Sequence, residues 1–377
     1  MHIAFLAGLK RSITTTTTAS RNRIMVDLAM GLVKKGYEVT IFGTGDSHLP
    51  GVRFIEVIPT GLNFLSKTEN PFYTETAYIV HAISELLERQ KEFDLVHNHM
   101  YPEFMPLLAR ESFNIPIVTT IHAQITDELR LALEDTRDSS ELVCISESAA
   151  KELRLPSTVV HNGVDTSFFK FAEKNNQNYM LFIGRMSKSK LPDGSFIDPK
   201  GVGQAIKVAE AADEELKIIG NVEDPDFYKK IVEPYLSSKI QMIGQVSSEQ
   251  TQSRENVLKY YSQAKLFLFP IQWEEPFGLV MAESMACGTP VVAYNRGSVS
   301  EIVKDGVTGF IIDPDNEERP NKGKWIIKKQ GIEGLVEAVK RIDEIDRVAC
   351  RKHIEENFSI EKMVSGYEDV YKKIIYG

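Results

Sequence analysis

Short runs of β-branched and aromatic residues alternate with helical patterns along this chain, and the alternation runs through two successive series. In the first half, strands are expected at HIAFLAG (2–8), EVTIFGT (38–44), DLVHNH (94–99), PIVTTIH (116–122), ELVCIS (141–146) and STVVHNG (157–163). Several are almost continuously apolar, as parallel strands covered on both faces must be. Helical patterns such as RIMVDLAMGLVKKG and TAYIVHAISELLERQ separate them. The polar, aperiodic segment KNNQN within residues 168–179 reads as a linker. The rhythm restarts at YMLFIGR (179–185) and continues through ELKIIGN (215–221), KIQMIGQV (239–246), AKLFLFP (264–270), PVVAYN (290–295) and TGFIID (308–313). Two such series predict an α/β protein of two Rossmann-like, doubly wound domains facing across a cleft. The first is expected over 1–168 and the second over 169–358. The remaining residues, about 359–377, are helical: they either pack back on the first domain or form an outer helix of the second.

At 377 residues the chain exceeds what one hydrophobic core supports, in keeping with two domains. The formal net charge of −9 argues against nucleic acid as a partner. Cys144, Cys287 and Cys350 are far apart and form no C-x-x-C pair, which points to a reducing, cytoplasmic setting and away from a zinc site. The N-terminal apolar run is too short for a secretory leader, and no stretch approaches the ~20 apolar residues that span a bilayer. Peripheral membrane contact through a surface helix stays open.

The sharpest local signal is WEEPFGLVMAESMACGTPVVA (273–293), set between two apolar strands. A helix is expected from near Phe277 to Gly288. The amides of Gly278, Leu279 and Val280 would then be unsatisfied at a positive dipole end suited to a diphosphate. Glu275 falls in the preceding loop, and Glu283 a little over two turns further on. Carboxylates are acceptors for the paired hydroxyls of a sugar or a ribose. Alternatively, Glu275 stabilises a helix N-terminus and Glu283 is a solvated charge. In FIGRMSKSKLPDGSFIDPKG (182–201), Arg185 ends a strand and Lys200 opens a helix. Two such cations can neutralise a diphosphate leaving group, or they are surface charges. His97, His99, His122 and His161 end strands. His122 is expected on the cleft side, where a neutral imidazole can bond a sugar hydroxyl; His97 and His161 read as structural. No His/Asp/Glu set has metal-ligand spacing, so no bound metal is expected. No P-loop, G-x-S-x-G or G-x-G-x-x-G stands at a strand–helix junction, which weighs against kinases, hydrolases and dehydrogenases.

With these residues in place, the chain resembles glycosyltransferase family 4, the retaining family with the GT-B fold. EEPFGLVMAE is similar to the family's E-x7-E motif, and GTPVVAYNRGSVSEIVKDGVTGFIIDP to the segment after it. HNGVD (161–165) and GR…KG (184–201) match two further landmarks. The resemblance implies a metal-independent, cofactor-free transfer of a hexose-type sugar from a UDP- or GDP-sugar to a sugar, lipid or small-molecule acceptor. It places Glu283 on the donor ribose and Glu275 on the donor sugar. Arg185, Lys200 and the backbone of Gly278 to Val280 would lie on the diphosphate, the backbone around Val246 on the nucleobase, and His122 near the sugar's reactive end. The sequence departs from the family in two places. Ala19-Ser20 stand where the family has a glycine pair after the first strand, and the loop between Arg185 and Lys200 is long. Arg21 or Arg23 would supply a compensating cation there, or both are ordinary helix-surface charges. A nucleotide-sugar epimerase, a sugar phosphorylase and a nucleotide-sugar-binding protein without turnover share the architecture. The epimerase would want further carboxylates and the phosphorylase a cofactor lysine, and neither signature is visible.

Overall fold

Ile3, Ala4, Phe5 and Leu6 have no accessible surface, which is the reason the first strand reads as an unbroken apolar run. The computed structural model describes all residues except 18, 66–68, 175–176, 187–188, 245–253, 316 and 320, and leaves out the side chain of residue 137. The chain divides into two units, Met1–Gly163 with Ile360–Gly377, and Val164–Ser359.

In the first unit the order is β1 (His2–Leu6), α1 (Ser20–Lys34), β2 (Glu38–Thr44), β3 (Arg53–Ile58), α2 (Pro71–Arg89), β4 (Leu95–Asn98), β5 (Ile117–Ile121), α3 (Asp127–Asp135), β6 (Glu141–Cys144), α4 (Glu147–Leu153) and β7 (Thr158–Val159). The strands form one sheet in the order β3-β2-β1-β4-β5-β6-β7. Its paired strands are parallel. β3 was not expected from the sequence. It is an edge strand with its first four residues exposed or half-buried, so RFIEVI lacks the continuous apolar run of its neighbours.

The second unit runs β8 (Tyr179–Ile183), α5 (Val202–Ala212), β9 (Glu215–Ile219), α6 (Pro225–Phe227), β10 (Ile240–Gly244), α7 (Arg254–Gln263), β11 (Leu266–Phe269), α8 (Leu279–Ala286), β12 (Val291–Tyr294), α9 (Val299–Ile302), β13 (Gly309–Ile312), α10 (Gly331–Lys340) and α11 (Arg347–Asn357). Its sheet order is β10-β9-β8-β11-β12-β13, again parallel. In each sheet the winding direction reverses once, between β1 and β4 and between β8 and β11. Loops leaving the carboxyl ends of strands flanking such a reversal diverge and leave room for a ligand. In the second unit those loops carry Arg185 and Glu275. In the first they carry four consecutive threonines, 14 to 17, and His99.

Residues 164–168 are held to the second unit. Val164 N–H donates to the Phe358 carbonyl (2.8 Å), and the Arg351 guanidinium donates to the carbonyls of Thr166 (2.8 Å) and Phe169 (2.6 Å). The chain returns to the first unit at its end: α12 (Ile360–Tyr376) lies against α1 and buries Met363, Val364, Tyr367, Val370 and Tyr371. The Tyr371 hydroxyl reaches His97 Nδ1 (2.6 Å), and Tyr367 reaches Thr120 (2.9 Å). Cys144, Cys287 and Cys350 are buried free thiols. Among the described residues no helix is long and apolar enough to cross a membrane.

Each buried apolar side chain of α12 contributes about 1.5–3 kcal/mol, so the helix as a whole supplies on the order of 10 kcal/mol, the size of a domain's net stability. A chain ending at Ser359 is therefore expected to lose the first unit's fold. Limited proteolysis should leave a resistant fragment spanning about 164–359 and digest the rest; protection of 1–163 in the truncated chain would contradict the assignment.

Candidate functional site

The loop after β11 turns at Glu275, and the peptide there is pinned from the far side. Ser298 N–H donates to the Glu275 carbonyl (3.0 Å), and Gly297, at φ +56, lies so close to the Glu275 backbone that a Cβ would collide with it. The neighbouring Glu274 accepts from Gly297 N–H (2.6 Å) and pairs with Arg319 and Arg296, which share Glu317. The backbone is thus held on both sides before the side chain of Glu275 does anything.

That side chain is 11% exposed and its Oε2 accepts from Lys200 Nζ (2.6 Å) and Trp273 Nε1 (2.9 Å). Lys200 also sits over the Trp273 ring, 4.7 Å from its centre, a cation–π arrangement that fixes the ammonium. Lys200 comes to this place because Gly184, at the end of β8, packs on its stem, where a Cβ would stand 2.9 Å from that of Lys200. Arg185 follows immediately, with its side chain 60% exposed and, among the described residues, one long contact to Glu223 (3.4 Å). The Lys200 stem thus meets the chain one residue before Arg185, just beyond the end of β8. Lys200 is held, and Arg185 projects.

The helix after this loop is shorter than expected. It begins at Leu279 and not near Phe277, because Gly278 adopts φ +79 as its N-cap and ends the extended backbone there. No side chain caps it and no acid stands in its first turn, so its leading amides keep their positive edge. A Cβ on Gly278 would stand 3.3 Å from Glu275 Cγ, so glycine keeps the helix start close to the Glu275 stem. At α5 the opposite holds: Asp198 accepts from the amides of Gly201 (2.9 Å), Val202 (3.1 Å) and Gly203 (2.7 Å). Burial raises the Asp198 pKa, against those hydrogen bonds, which lower it. The protein's own carboxylate thus fills the anion position at α5 and leaves that of α8 open. Asp198 was missed in the sequence, although Asp-Pro-Lys-Gly ahead of an apolar run is a helix-start pattern.

Glu283 lies one turn into α8, half-buried, and its Oε2 accepts the hydroxyl of Tyr261 (3.0 Å). Tyr261 is fully buried; burial first, then the Glu283 charge, drives its hydroxyl well above the usual range, so it stays a donor. No sequence signal marks Tyr261, which is one apolar position among several on α7. The expected nucleobase contact at Val246 lies outside the described residues. The long loop before Lys200 forms a small antiparallel turn: Lys190 bridges Phe196, which packs on Phe227 (5.6 Å).

In the first unit, His122 Nε2 bonds His99 Nδ1 (2.9 Å). His97 is locked by Tyr371 and by Thr120 (2.7 Å), and its ring lies tilted against His99 with centroids 3.9 Å apart. Burial is the main cause holding all three imidazoles neutral. It takes His99 down to about 3 and the other two well below their usual value. Neither Arg21 nor Arg23 is an ordinary helix-surface charge. Arg21 pairs with the buried Glu103 (3.1 Å) and stacks on Tyr101 (4.9 Å), while Arg23 pairs with Asp27 and ties down the threonine turn through Thr15 (2.9 Å). Burial outweighs their mutual attraction, lowering the Arg21 pKa and raising that of Glu103. Glu103 was missed because it stands 82 residues from its partner. Among the described residues no group of three or more His, Cys, Asp or Glu side chains is placed to hold a metal ion.

Residues 164–323 match the family described as glycosyl transferases group 1, and residues 22–168 match glycosyltransferase family 4. D-inositol 3-phosphate glycosyltransferase of Rhodococcus erythropolis is 25% identical, over 95% of this chain and 87% of its own. Among solved structures, sucrose-phosphate synthase of Thermosynechococcus elongatus superimposes with a TM-score of 0.73 at 18% identity, covering 99% of this chain and 98% of its own. The Anabaena protein HepE, in complex with UDP and glucose, gives 0.69 at 15% identity, covering 99% and 100%. The chain belongs to the GT-B glycosyltransferases of group 1.

Two stability measurements test this geometry. Lys200→Met leaves the Glu275 carboxylate without its cation and is expected to cost on the order of 3 kcal/mol, most of it recovered in Lys200→Met with Glu275→Gln; additive losses would rule out the pair. His97 and His99 take up protons only when the chain unfolds. The unfolded state therefore binds more protons below about pH 6.5, and stability falls with falling pH by about 1.4 kcal/mol per pH unit for each. The melting temperature should drop more steeply between pH 7 and pH 5 than that of His97→Gln; equal slopes would show that His97 is not buried neutral.

Proposed function

We propose that this group 1 glycosyltransferase moves a hexose-type sugar from a UDP- or GDP-sugar to an acceptor hydroxyl with retention of anomeric configuration, and that it does so without a protein-bound metal or cofactor. The observation that carries this is the part-buried Lys200–Glu275 pair beside the uncapped start of α8. A diphosphate offers Lys200 a second anion. The amides of Gly278, Leu279 and Val280 and the projecting Arg185 complete a positive cradle for it. Once Lys200 turns to the phosphates, the Glu275 carboxylate becomes an acceptor for the donor sugar's hydroxyls. Glu283, aimed by Tyr261, takes the ribose hydroxyls, and the backbone around Val246 meets the base.

In the transition state the sugar gains positive charge and the diphosphate negative charge. Arg185, Lys200 and the α8 amides stabilise the leaving diphosphate, supplying the charge that a metal ion supplies in other transferases. Retention follows if the leaving phosphate oxygen removes the proton of an acceptor hydroxyl approaching on the same face. His122 holds a sugar hydroxyl in this scheme. The acceptor is a sugar, a lipid or a small molecule. D-inositol 3-phosphate, which the Rhodococcus relative's name carries, is the first to try.

A thermal-shift screen of nucleoside diphosphates and their sugars should single out one base, since ligand at a hundredfold excess over its Kd stabilises by about 2.7 kcal/mol. With that donor, Glu275→Gln is expected to lower turnover roughly 100-fold or more, in the range seen for loss of one transition-state contact. Tyr261→Phe should raise the donor KM with little change in kcat. NMR of the early product should show the donor's anomeric configuration. An inverted product, or full turnover in Glu275→Gln, would overturn the scheme.

A further inference from the structure

The ring nitrogens around His122 form a short chain whose protons are decided by one buried atom. His122 Nε2 and His99 Nδ1 share a hydrogen bond of 2.9 Å, so one of the two carries the proton. The other nitrogen of His99, Nε2, is buried and has no partner among the described residues. His99 cannot turn to find one. Its ring lies against His97 (3.9 Å) and Phe5 (5.0 Å), and His97 is itself fixed at both nitrogens by Tyr371 and Thr120.

Two proton arrangements are then possible for the neutral pair. If His122 donates from Nε2, His99 must carry its proton on Nε2, which leaves a buried N–H with no acceptor. If His99 donates from Nδ1, the unpartnered atom is a bare lone pair, and His122 carries its proton on Nδ1. A buried N–H without an acceptor is among the rarest features of folded proteins and forfeits the full desolvation cost of a donor.

We infer that His99 fixes His122 in the Nδ1–H tautomer, so that His122 meets the substrate as a hydrogen-bond donor and not as a proton acceptor. His99 is thereby a positioning residue, with α12 behind it through Tyr371 and His97. The inference rests on the proposal that His122 contacts a sugar hydroxyl. It assigns that contact a direction: the imidazole donates to a hydroxyl oxygen, and the acceptor's proton must leave by another route, in keeping with its transfer to the departing phosphate.

Two-bond ¹⁵N–¹H correlation NMR on protein labelled with ¹⁵N-histidine reads the tautomers directly, without activity. His122 and His99 are both expected to be protonated on Nδ1 and bare on Nε2. In His99→Ala, His122 should revert to the Nε2–H form. In His99→Asn, whose side-chain amide can donate from near the place of Nδ1, the Nδ1–H form should persist. With the donor identified above, His99→Ala should lower kcat at least tenfold while leaving the donor KM within about twofold, and His99→Asn should recover most of the loss. A wild-type His122 protonated on Nε2, or an unchanged His122 tautomer in His99→Ala, would overturn the inference. Should His99→Ala fail to fold, the wild-type and His99→Asn spectra still decide it. If the tautomers are as expected and His122→Phe turns over like wild type, the substrate contact of His122 is wrong while the role of His99 in setting its tautomer stands.

Discussion

The second unit is organised around one peptide. At Glu275 the chain leaves the buried strand β11, and the backbone is clamped by Gly297, Ser298 and the Glu274 charge cluster before α8 begins. This clamp sets a nearly buried carboxylate where Lys200 and Trp273 meet it at fixed distances. A charge this poorly hydrated is tolerable only with such partners. The same arrangement makes the pair responsive, since any anion that competes for Lys200 releases Glu275.

The two sheets share a rule and use it differently. Parallel strands buried on both faces send their loops out at one end, and the reversal of winding opens a gap between two of them. In the second unit that gap collects charge: Arg185, Lys200, Glu275 and an uncapped helix start. In the first it collects neutral imidazoles, with the part-buried Arg21–Glu103 pair acting on them. Burial is the common cause. It suppresses the charge of His97, His99 and His122, none of which has an anionic partner; it opposes the charge of Arg21 as well, and there Glu103 offsets part of the cost.

How far these features could be read beforehand follows the range of the forces involved. Twelve of the thirteen strands among the described residues carried their own apolar signature; β3 did not, because an edge strand is wet on part of its length. The start of α8 was misplaced by two residues because Gly278 takes a left-handed conformation, which glycine permits and which a sequence pattern does not announce. Lys200 and Glu275 were each singled out for separate contacts with a ligand. That they hold one another across 75 residues was not foreseen, nor was the use of Asp198 to close the neighbouring helix. Arg21 and Arg23 looked like surface charges because their partners were invisible along the chain.

Local order was therefore settled by the order of residues: the two series of strands and helices, the polar break between them, and the loop-helix segment from Glu275 to Glu283. Each depends on sterics and burial within a dozen positions, and a period in the sequence carries that information. Three-dimensional packing alone determined which charges pair, which helix start is left open, that the final helix serves the first unit, and which ring nitrogen of His122 holds a proton. Those outcomes turn on distances of about 3 Å between groups remote in the chain, and such distances exist only after the sheets have brought their strand ends together.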